Sequence, residues 1–172
     1  MITVIDYNSG NLASVCNALK NLKVNFKISD SPKEIAQSKK VIFPGVGHAA
    51  AAMDNLKKLN LVRTIKNLKV PFLGICLGLQ LLTDYSEEGE TPCLKIINGK
   101  IKKFPDLQRI PQIGWNKVLF KKKNPLLKTI PDQSYFYFVN SYYLPAENSY
   151  SIAAANYALE FSAIVNKDNF YA

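Results

Sequence analysis

A cysteine flanked by glycines is the residue of this sequence best suited to covalent chemistry. Cys76 stands in the pattern Gly74-x-Cys76-x-Gly78, with apolar residues on both sides. This order predicts a strand, a tight turn and a helix, the context in which a nucleophile projects from the apex of a sharp bend. A thiol at a helix N-terminus meets the positive end of the helix dipole. The pattern therefore predicts a thiolate able to attack carbonyl carbon.

The cysteines also indicate which kinds of site are disfavoured. Cys16 and Cys93 lack such surroundings and are interpreted as structural, and burial in the core is the simplest alternative for Cys76 as well. Three widely spaced cysteines without a Cys-x-x-Cys pair favour neither a disulfide framework nor a zinc site. The sequence therefore predicts reduced thiols and no bound metal or cofactor.

A glycine-containing loop would complete a site for acyl transfer. Gly45, Val46 and Gly47 follow the apolar run 41–43, one β-α unit before Cys76. Glycines there can turn backbone N–H groups toward the oxyanion that forms when a thiol attacks a carbonyl carbon. Alone, such a segment indicates only a turn, and its place before the cysteine is what favours the catalytic interpretation.

The elements that must position these residues alternate about every 30 residues. Strands are predicted at 2–7, 24–28, 41–43 and 70–75, with a turn at 8–10 after the first strand. Helices are predicted at 11–22, after Ser31-Pro32, and at 49–68 with a break near Asn60. This alternation is typical of an α/β fold. We expect a doubly wound, mostly parallel, flavodoxin-like sheet with helices on both faces.

The second half of the chain is richer in strand-forming residues. Strands are predicted at 96–104, 117–122, 135–139, 151–155 and 161–165, with Gly114-Trp115-Asn116 as a turn. No linker or repeat separates the two halves. A single domain over residues 1–172 is therefore predicted.

Composition limits the classes of partner. The 172 residues include 22 Lys plus Arg and 13 Asp plus Glu, for a net charge of +9, but only Arg63 and Arg109 are arginines. The lysine runs are short and scattered, which disfavours a nucleic-acid interface and leaves steering toward an acidic partner protein as the weaker option. No apolar run approaches the roughly 18 residues of a membrane span. We expect a cytoplasmic protein without membrane contact.

These motifs resemble the class I, or triad, glutamine amidotransferases, and among them the glutaminase subunits of imidazole glycerol phosphate synthases. The resemblance covers nearly the whole chain. The cysteine motif is shared by other triad amidotransferases, whereas Pro44-Gly45-Val46-Gly47, Gly114-Trp115-Asn116 and Ser141-Tyr142-Tyr143 together indicate this group. The other matching segments are Asp6-Tyr7, Gly10-Asn11-Leu12, Gly74-Ile75-Cys76-Leu77-Gly78-Leu79-Gln80, Ser86-Glu87-Glu88, Ile110-Pro111, Tyr137-Phe138-Val139 and Lys167-Asp168-Asn169-Phe170-Tyr171.

The resemblance implies a role for each part of the site. Cys76 would attack the side-chain amide of L-glutamine to give a glutamyl thioester and ammonia, and water would then release glutamate. The backbone N–H of Leu77 and an N–H of the Gly45-Val46-Gly47 loop would bind the oxyanion. No cofactor is implied. The positions implied to hold glutamine are Gln80, Glu88, Ser141 and Tyr142.

A partner is implied as well. In such synthases a cyclase subunit, a (β/α)8 barrel, receives the ammonia in a heterodimer and forms imidazole glycerol phosphate and AICAR in histidine biosynthesis. Asn11, Trp115 and Tyr137 match positions at or near that interface. Ordinary capping and core packing is the alternative for these three residues, because aromatic side chains near turns often only pack.

The sequence departs from the family pattern at three places. The Phe-His-Pro-Glu segment that carries the base would follow Tyr171 and is not in these 172 residues, and the sole histidine, His48, belongs to the oxyanion loop. Gln112 and Asn140 stand where this group usually has histidine. We therefore expect residues 1–172 to be inactive as they stand and to leave apolar surface uncovered, either as a fragment or as a natural truncation.

Three other functions remain open from the sequence. The chain could be a non-catalytic pseudo-glutaminase that only docks on a partner. It could instead supply ammonia to a sugar amidotransferase of surface-polysaccharide synthesis. A stand-alone cysteine hydrolase of similar fold is the third alternative, and the interface-like motifs disfavour it.

Overall fold

The computed structural model describes residues 1–8 and 11–172, and its first half alternates strands and helices as predicted. Ser9 and Gly10, which belong to the turn and the family motif noted above, lie outside the described residues. The elements of this half are β1 (Ile2–Ile5), α1 (Leu12–Asn21), β2 (Phe26–Ser29), α2 (Pro32–Ala36), β3 (Lys40–Gly45), α3 (Ala49–Lys58), α4 (Leu61–Asn67), β4 (Phe72–Cys76) and α5 (Leu77–Leu82).

The second half consists mainly of strands. Two 3₁₀ turns, Glu88–Glu90 and Pro125–Leu127, interrupt them. The strands are β5 (Tyr85–Ser86), β6 (Thr91–Pro92), β7 (Lys100–Lys103), β8 (Gln112–Lys117), β9 (Leu119–Phe120), β10 (Tyr135–Asn140), β11 (Tyr142–Pro145), β12 (Ser151–Tyr157), β13 (Leu159–Lys167) and β14 (Phe170–Tyr171).

One large sheet runs through both halves. Its strand order is β2-β1-β3-β4-β14-β13-β11-β7-β5-β6, with β12 paired to β13 and β9. The five strands from β2 to β14 are parallel to one another, and β13, β11 and β12 pair antiparallel. β8 and β10 form a separate antiparallel ribbon. The predicted α/β class is thus confirmed, with antiparallel strands added in the second half.

Helices cover both faces of the parallel strands. Val4 and Ile42 point to one face, where they pack against Leu19 of α1. Ile5 and Phe43, their neighbours along the strands, point to the other face, which α3, α4 and α5 cover. Side chains alternate along a strand, so strands that carry apolar residues at successive positions need a helix on each face.

Local signals explain where the helices begin. The side chain of Asn11 accepts the Ser14 N–H and caps α1, while Ser31 accepts the Glu34 N–H ahead of Pro32 at the start of α2. The break predicted near Asn60 is present, because that residue is left-handed between α3 and α4. Among the described residues, no helix has the length and apolar character required to cross a lipid bilayer.

Two predictions in the second half were wrong. Gly114-Trp115-Asn116 is not a turn but lies within β8, where Trp115 pairs across the ribbon with Tyr137. The predicted strand 96–104 is shorter, because the N–H groups of Ile96 and Ile97 both donate to the Leu82 carbonyl and leave only β7 in the sheet.

The turn after β4 is held by a close backbone approach. A Cβ on Gly78 would lie 2.3 Å from the carbonyl oxygen of Phe43, so α5 packs directly on the backbone of β3. Any side chain at residue 78 would push α5 away from β3. Gly78 therefore fixes the distance between the turn that carries Cys76 and the glycine loop at 45–47.

Adding a single methyl group at residue 78 should lower the free energy of unfolding. We expect Gly78→Ala to destabilise the protein by about 1–3 kcal/mol, because neither the strand nor the helix can move without breaking its hydrogen bonds. Urea unfolding followed by circular dichroism measures the change. An unfolding midpoint equal to that of the parent chain would contradict the close approach.

Candidate active site

The carboxyl ends of β3 and β4 bring the two predicted loops together. In the parallel ladder Phe43 pairs with Gly74 and Gly45 pairs with Cys76. A Cβ on Gly45 would lie 2.7 Å from the Cβ of Leu77, so the end of β3 touches the first residue of α5. Ligands of open α/β sheets bind at this edge, outside the carboxyl ends of the strands.

Cys76 adopts a backbone conformation that few residues other than glycine tolerate. It is the last residue of β4 and the N-cap of α5, with a φ of 55° and a ψ of −110°. Such strain costs on the order of 1–3 kcal/mol and persists only where the surrounding packing enforces it. The strained turn projects the sulfur beyond the strand, and the backbone N–H of Leu77 donates to it.

The ionisation of Cys76 differs from the sequence expectation. Burial raises the pKa of the Cys76 thiol, the Glu88 carboxylate raises it further, and only the Leu77 N–H lowers it. The residue keeps exposed surface, but the walls around the sulfur exclude enough water to disfavour the thiolate. The helix that begins at Leu77 has six residues, so its dipole does not overcome this desolvation.

The glycine loop continues into α3. Gly47 has a positive φ of 107°, and Val46 is half exposed at the surface. His48 follows as the N-cap of α3, where its Nδ1 accepts the Ala50 N–H at 3.3 Å. The loop residues at 45–47 thus lie between the end of β3 and a helix N-terminus.

Gln80 and Glu88 meet beside this loop. The Gln80 Nε2 donates to Glu88 Oε2 at 2.8 Å, and the N–H of Ala49 donates to the same oxygen at 2.9 Å. Glu88 therefore joins α5 to the first turn of α3. A carboxylate at a helix N-terminus is also favoured by the helix dipole.

A cavity of about 430 Å³ opens beside Cys76. Gln80 from α5, Tyr142 from β11 and Asn140 from β10 line it, together with mostly apolar side chains. Burial raises the pKa of Tyr142, as do the carboxylates of Glu88 and Glu87. Ser141 is not among the residues that line the cavity, and its carbonyl accepts the Phe104 N–H.

The three residues implied at a partner interface have different surroundings. Trp115 and Tyr137 lie on the outer face of the ribbon formed by β8 and β10, 70% and 56% exposed, with ring centroids 5.6 Å apart. Asn11 instead caps α1, the alternative that the sequence left open, at the helix that follows β1.

The two residues that replace histidine face each other. Gln112 and Asn140 are directly opposite in the ribbon, and the Asn140 amide N–H donates to the Tyr142 carbonyl at 3.1 Å. Within residues 1–8 and 11–172, the buried side-chain oxygens of Gln112 and Asn140 find no hydrogen-bond partner. Asn140 is thus both a neighbour of Tyr142 and part of the cavity wall.

The sequence indicated Ser86 only as part of a matching segment and assigned it no role in the site. Ser86, fully buried in β5, accepts N–H groups from both Gln80 and Glu88. Its place two residues before Glu88 was the available signal. No group of three or more His, Cys, Asp or Glu side chains in the described part of the chain is arranged to hold a metal ion.

Comparison with known proteins identifies the family. The model of the family "Glutamine amidotransferase class-I" matches residues 3–172. The chain belongs to the class I glutamine amidotransferases. The strained cysteine turn and the adjacent glycine loop are therefore features of an amidotransferase domain.

Named relatives narrow the group within this family. The chain is 47% identical to "Imidazole glycerol phosphate synthase subunit HisH" of Haemophilus influenzae over 171 residues, which are 99% of this chain and 85% of that protein. It is 48% identical to the protein of the same name from Buchnera aphidicola subsp. Schlechtendalia chinensis, covering 99% of this chain and 98% of that protein. The chain thus belongs to the HisH group of class I amidotransferases.

A solved structure supports the fold. A crystal structure of a glutamine amidotransferase superposes with a TM-score of 0.77 at 12% identity, over 100% of this chain and 88% of that one. At this identity the likeness concerns the fold, which is that of class I amidotransferases.

The raised pKa of Cys76 predicts a characteristic pH profile for its alkylation. The rate with iodoacetamide should continue to rise above pH 8.5 or so, the ordinary thiol pKa, because only the thiolate reacts. Glu88→Gln removes a carboxylate that raises the pKa, so its profile should shift to lower pH. Peptide mass spectrometry of Cys76 measures both profiles.

Glu147→Gln serves as the matched control, because it removes the same charge from an exposed residue that does not influence Cys76. Its profile should coincide with that of the parent chain. A Glu88→Gln profile unchanged from the parent would contradict the assigned electrostatic contact.

Proposed function

We propose that this chain is the glutaminase subunit of an imidazole glycerol phosphate synthase in histidine biosynthesis. The observation that carries the proposal is the pairing of Gly45 with Cys76, which sets the glycine loop beside a strained cysteine. The HisH relatives at 47% and 48% identity support the pathway. Gln80 and Glu88 offer polar groups for the amino-acid end of glutamine.

The reaction begins when the Cys76 sulfur attacks the carboxamide carbon of glutamine. A C–S bond forms, and the C=O π electrons move to the oxygen. The N–H groups of Leu77 and of the 45–47 loop stabilise this oxyanion. As the C=O bond re-forms, the C–N bond breaks, the nitrogen takes a proton and leaves as ammonia, and water later hydrolyses the thioester to glutamate.

Turnover also requires an acid-base group that removes the thiol proton and delivers a proton to the leaving nitrogen. The family resemblance assigns this task to a histidine and a glutamate that residues 1–172 do not contain, and His48 is their sole histidine. His48 already uses Nδ1 to cap α3. We therefore expect residues 1–172 to bind glutamine and react at Cys76 without appreciable turnover.

The ammonia would pass to a cyclase partner, a (β/α)8 barrel, docked on the ribbon of β8 and β10. Tyr137 and Val139 support this direction of transfer, because both are more than half exposed and both also line the cavity that contains Cys76. The ribbon thus borders both the cavity and the proposed docking face. A partner seated there would keep ammonia from the solvent.

A glutamine-shaped electrophile tests the catalytic part of the proposal. The chloroketone analogue of L-glutamine should alkylate Cys76 of residues 1–172, and millimolar L-glutamine should slow the labelling at least tenfold. Cys76→Ala should abolish the labelling and Cys16→Ala should leave it unchanged, because Cys16 is buried away from the site. Labelling that L-glutamine does not slow would contradict a glutamine pocket.

Truncation of the ribbon's aromatic residues tests the docking part. Trp115→Ala and Tyr137→Ala should each weaken binding to the purified cyclase subunit at least tenfold, as expected for central aromatic contacts. Leu107→Ala is the control, because Leu107 is a comparably exposed apolar residue outside the ribbon. Calorimetric titration gives the affinities. Equal affinities for the parent chain and both ribbon variants would rule out this docking face.

A further inference from the structure

The buried hydroxyl of Ser86 forms the centre of the polar network beside Cys76. Its Oγ accepts the Gln80 side-chain N–H at 2.8 Å and the Glu88 backbone N–H at 3.0 Å. Ser86 has no exposed surface, so water does not replace either bond. Both lone pairs of the hydroxyl are therefore used within the protein.

This arrangement determines which end of the Gln80 amide faces the cavity. The same Nε2 also donates to Glu88 Oε2 at 2.8 Å, so its two hydrogens are directed to Ser86 and Glu88. A carboxylate only accepts hydrogen bonds, which excludes the flipped amide. The Gln80 oxygen Oε1 is consequently left for the cavity, which Gln80 lines.

Hydrogen bonds also orient the Glu88 carboxylate, with one oxygen bonded and the other left over. Its Oε2 accepts both the Gln80 N–H and the Ala49 N–H, whereas Oε1 takes part in none of these bonds. The network thus leaves two oxygen acceptors, one of them carrying negative charge, on neighbouring residues. Acceptors of this kind suit an ammonium group and not a carboxylate.

We propose that Ser86 is a positioning residue, which fixes the Gln80 amide with its oxygen toward the cavity, next to the charge of Glu88, where that oxygen receives the α-ammonium group of glutamine. This inference rests on the proposed function, since it names the part of the substrate that the network recognises. Ser86 acts through Gln80 and Glu88 and does not touch the substrate itself.

Removing the Ser86 hydroxyl should weaken the binding of L-glutamine while leaving Cys76 in place. In Ser86→Ala the Gln80 amide loses one of its two acceptors and can rotate, which would place N–H against the ammonium group. We expect the L-glutamine concentration that half-protects Cys76 from iodoacetamide to rise about 10- to 100-fold, the range for a hydrogen bond to a charged group. The alkylation rate of each variant without glutamine serves as its own reference for the protection measured with glutamine.

Two comparisons separate this role from a general structural one. Ser38→Ala removes another buried hydroxyl, which bonds to Thr3 away from the cavity, and should leave protection unchanged. Glutaramic acid has the glutamine chain without the ammonium group, so its effect should not differ between the parent chain and Ser86→Ala. Ser86→Cys is the second variant should Ser86→Ala fail to fold. Its weaker acceptor should give an intermediate loss of protection.

Three results would overturn the role proposed for Ser86. Unchanged protection by L-glutamine in both Ser86 variants overturns the inference. A parallel loss of protection for glutaramic acid overturns it in favour of a structural role. Absence of protection in the parent chain would instead overturn the proposed function, and this inference with it.

Discussion

The direct packing of α5 on the backbone of β3 is the constraint on which the site depends. It requires residue 78 to lack a side chain, because the Phe43 carbonyl occupies the place of a Cβ. With that distance fixed, the ladder pairs Gly45 with Cys76 and sets the glycine loop against the cysteine turn. The strain at Cys76 is tolerated because Leu77 and Leu81 on either side of Gly78 are buried in the core.

The other half of the site comes from segments outside the parallel ladder. Glu88 lies in a 3₁₀ turn and Ser86 in a two-residue strand, yet their hydrogen bonds reach α5 and the N-terminus of α3. Polar groups in such a network stabilise the site only when every partner is present. The cysteine turn is therefore held by the sheet, whereas the orientation of Gln80 at the cavity depends on a few hydrogen bonds.

Features encoded in short segments were predictable from the sequence. The spacing around Cys76, the glycine loop one unit earlier and the break at Asn60 all follow from local patterns, and the structure contains each of them. The strand nature of Gly114-Trp115-Asn116 was not predictable, because it depends on pairing with β10, about twenty residues later. Local turn residues mislead when a distant strand supplies the hydrogen bonds.

The ionisation of Cys76 could not be predicted from the sequence for a different reason. A helix N-terminus can be read from the sequence, but desolvation depends on the cavity walls, which β10, β11 and β13 supply from distant parts of the chain. The Ser86 network was missed for a related reason. Which end of Gln80 faces the cavity is decided by where its two N–H groups find acceptors, and a sequence does not give that direction.

The charge of Glu88 connects binding with reactivity. Its carboxylate raises the pKa of Cys76, so the free site favours the neutral and less reactive thiol. A cation held at Glu88 cancels this contribution and lowers the cost of forming the thiolate. The charge of Glu88 and the ionisation of Cys76 are thus coupled, and the hydrogen bonds that hold this carboxylate beside α5 fix the strength of that coupling.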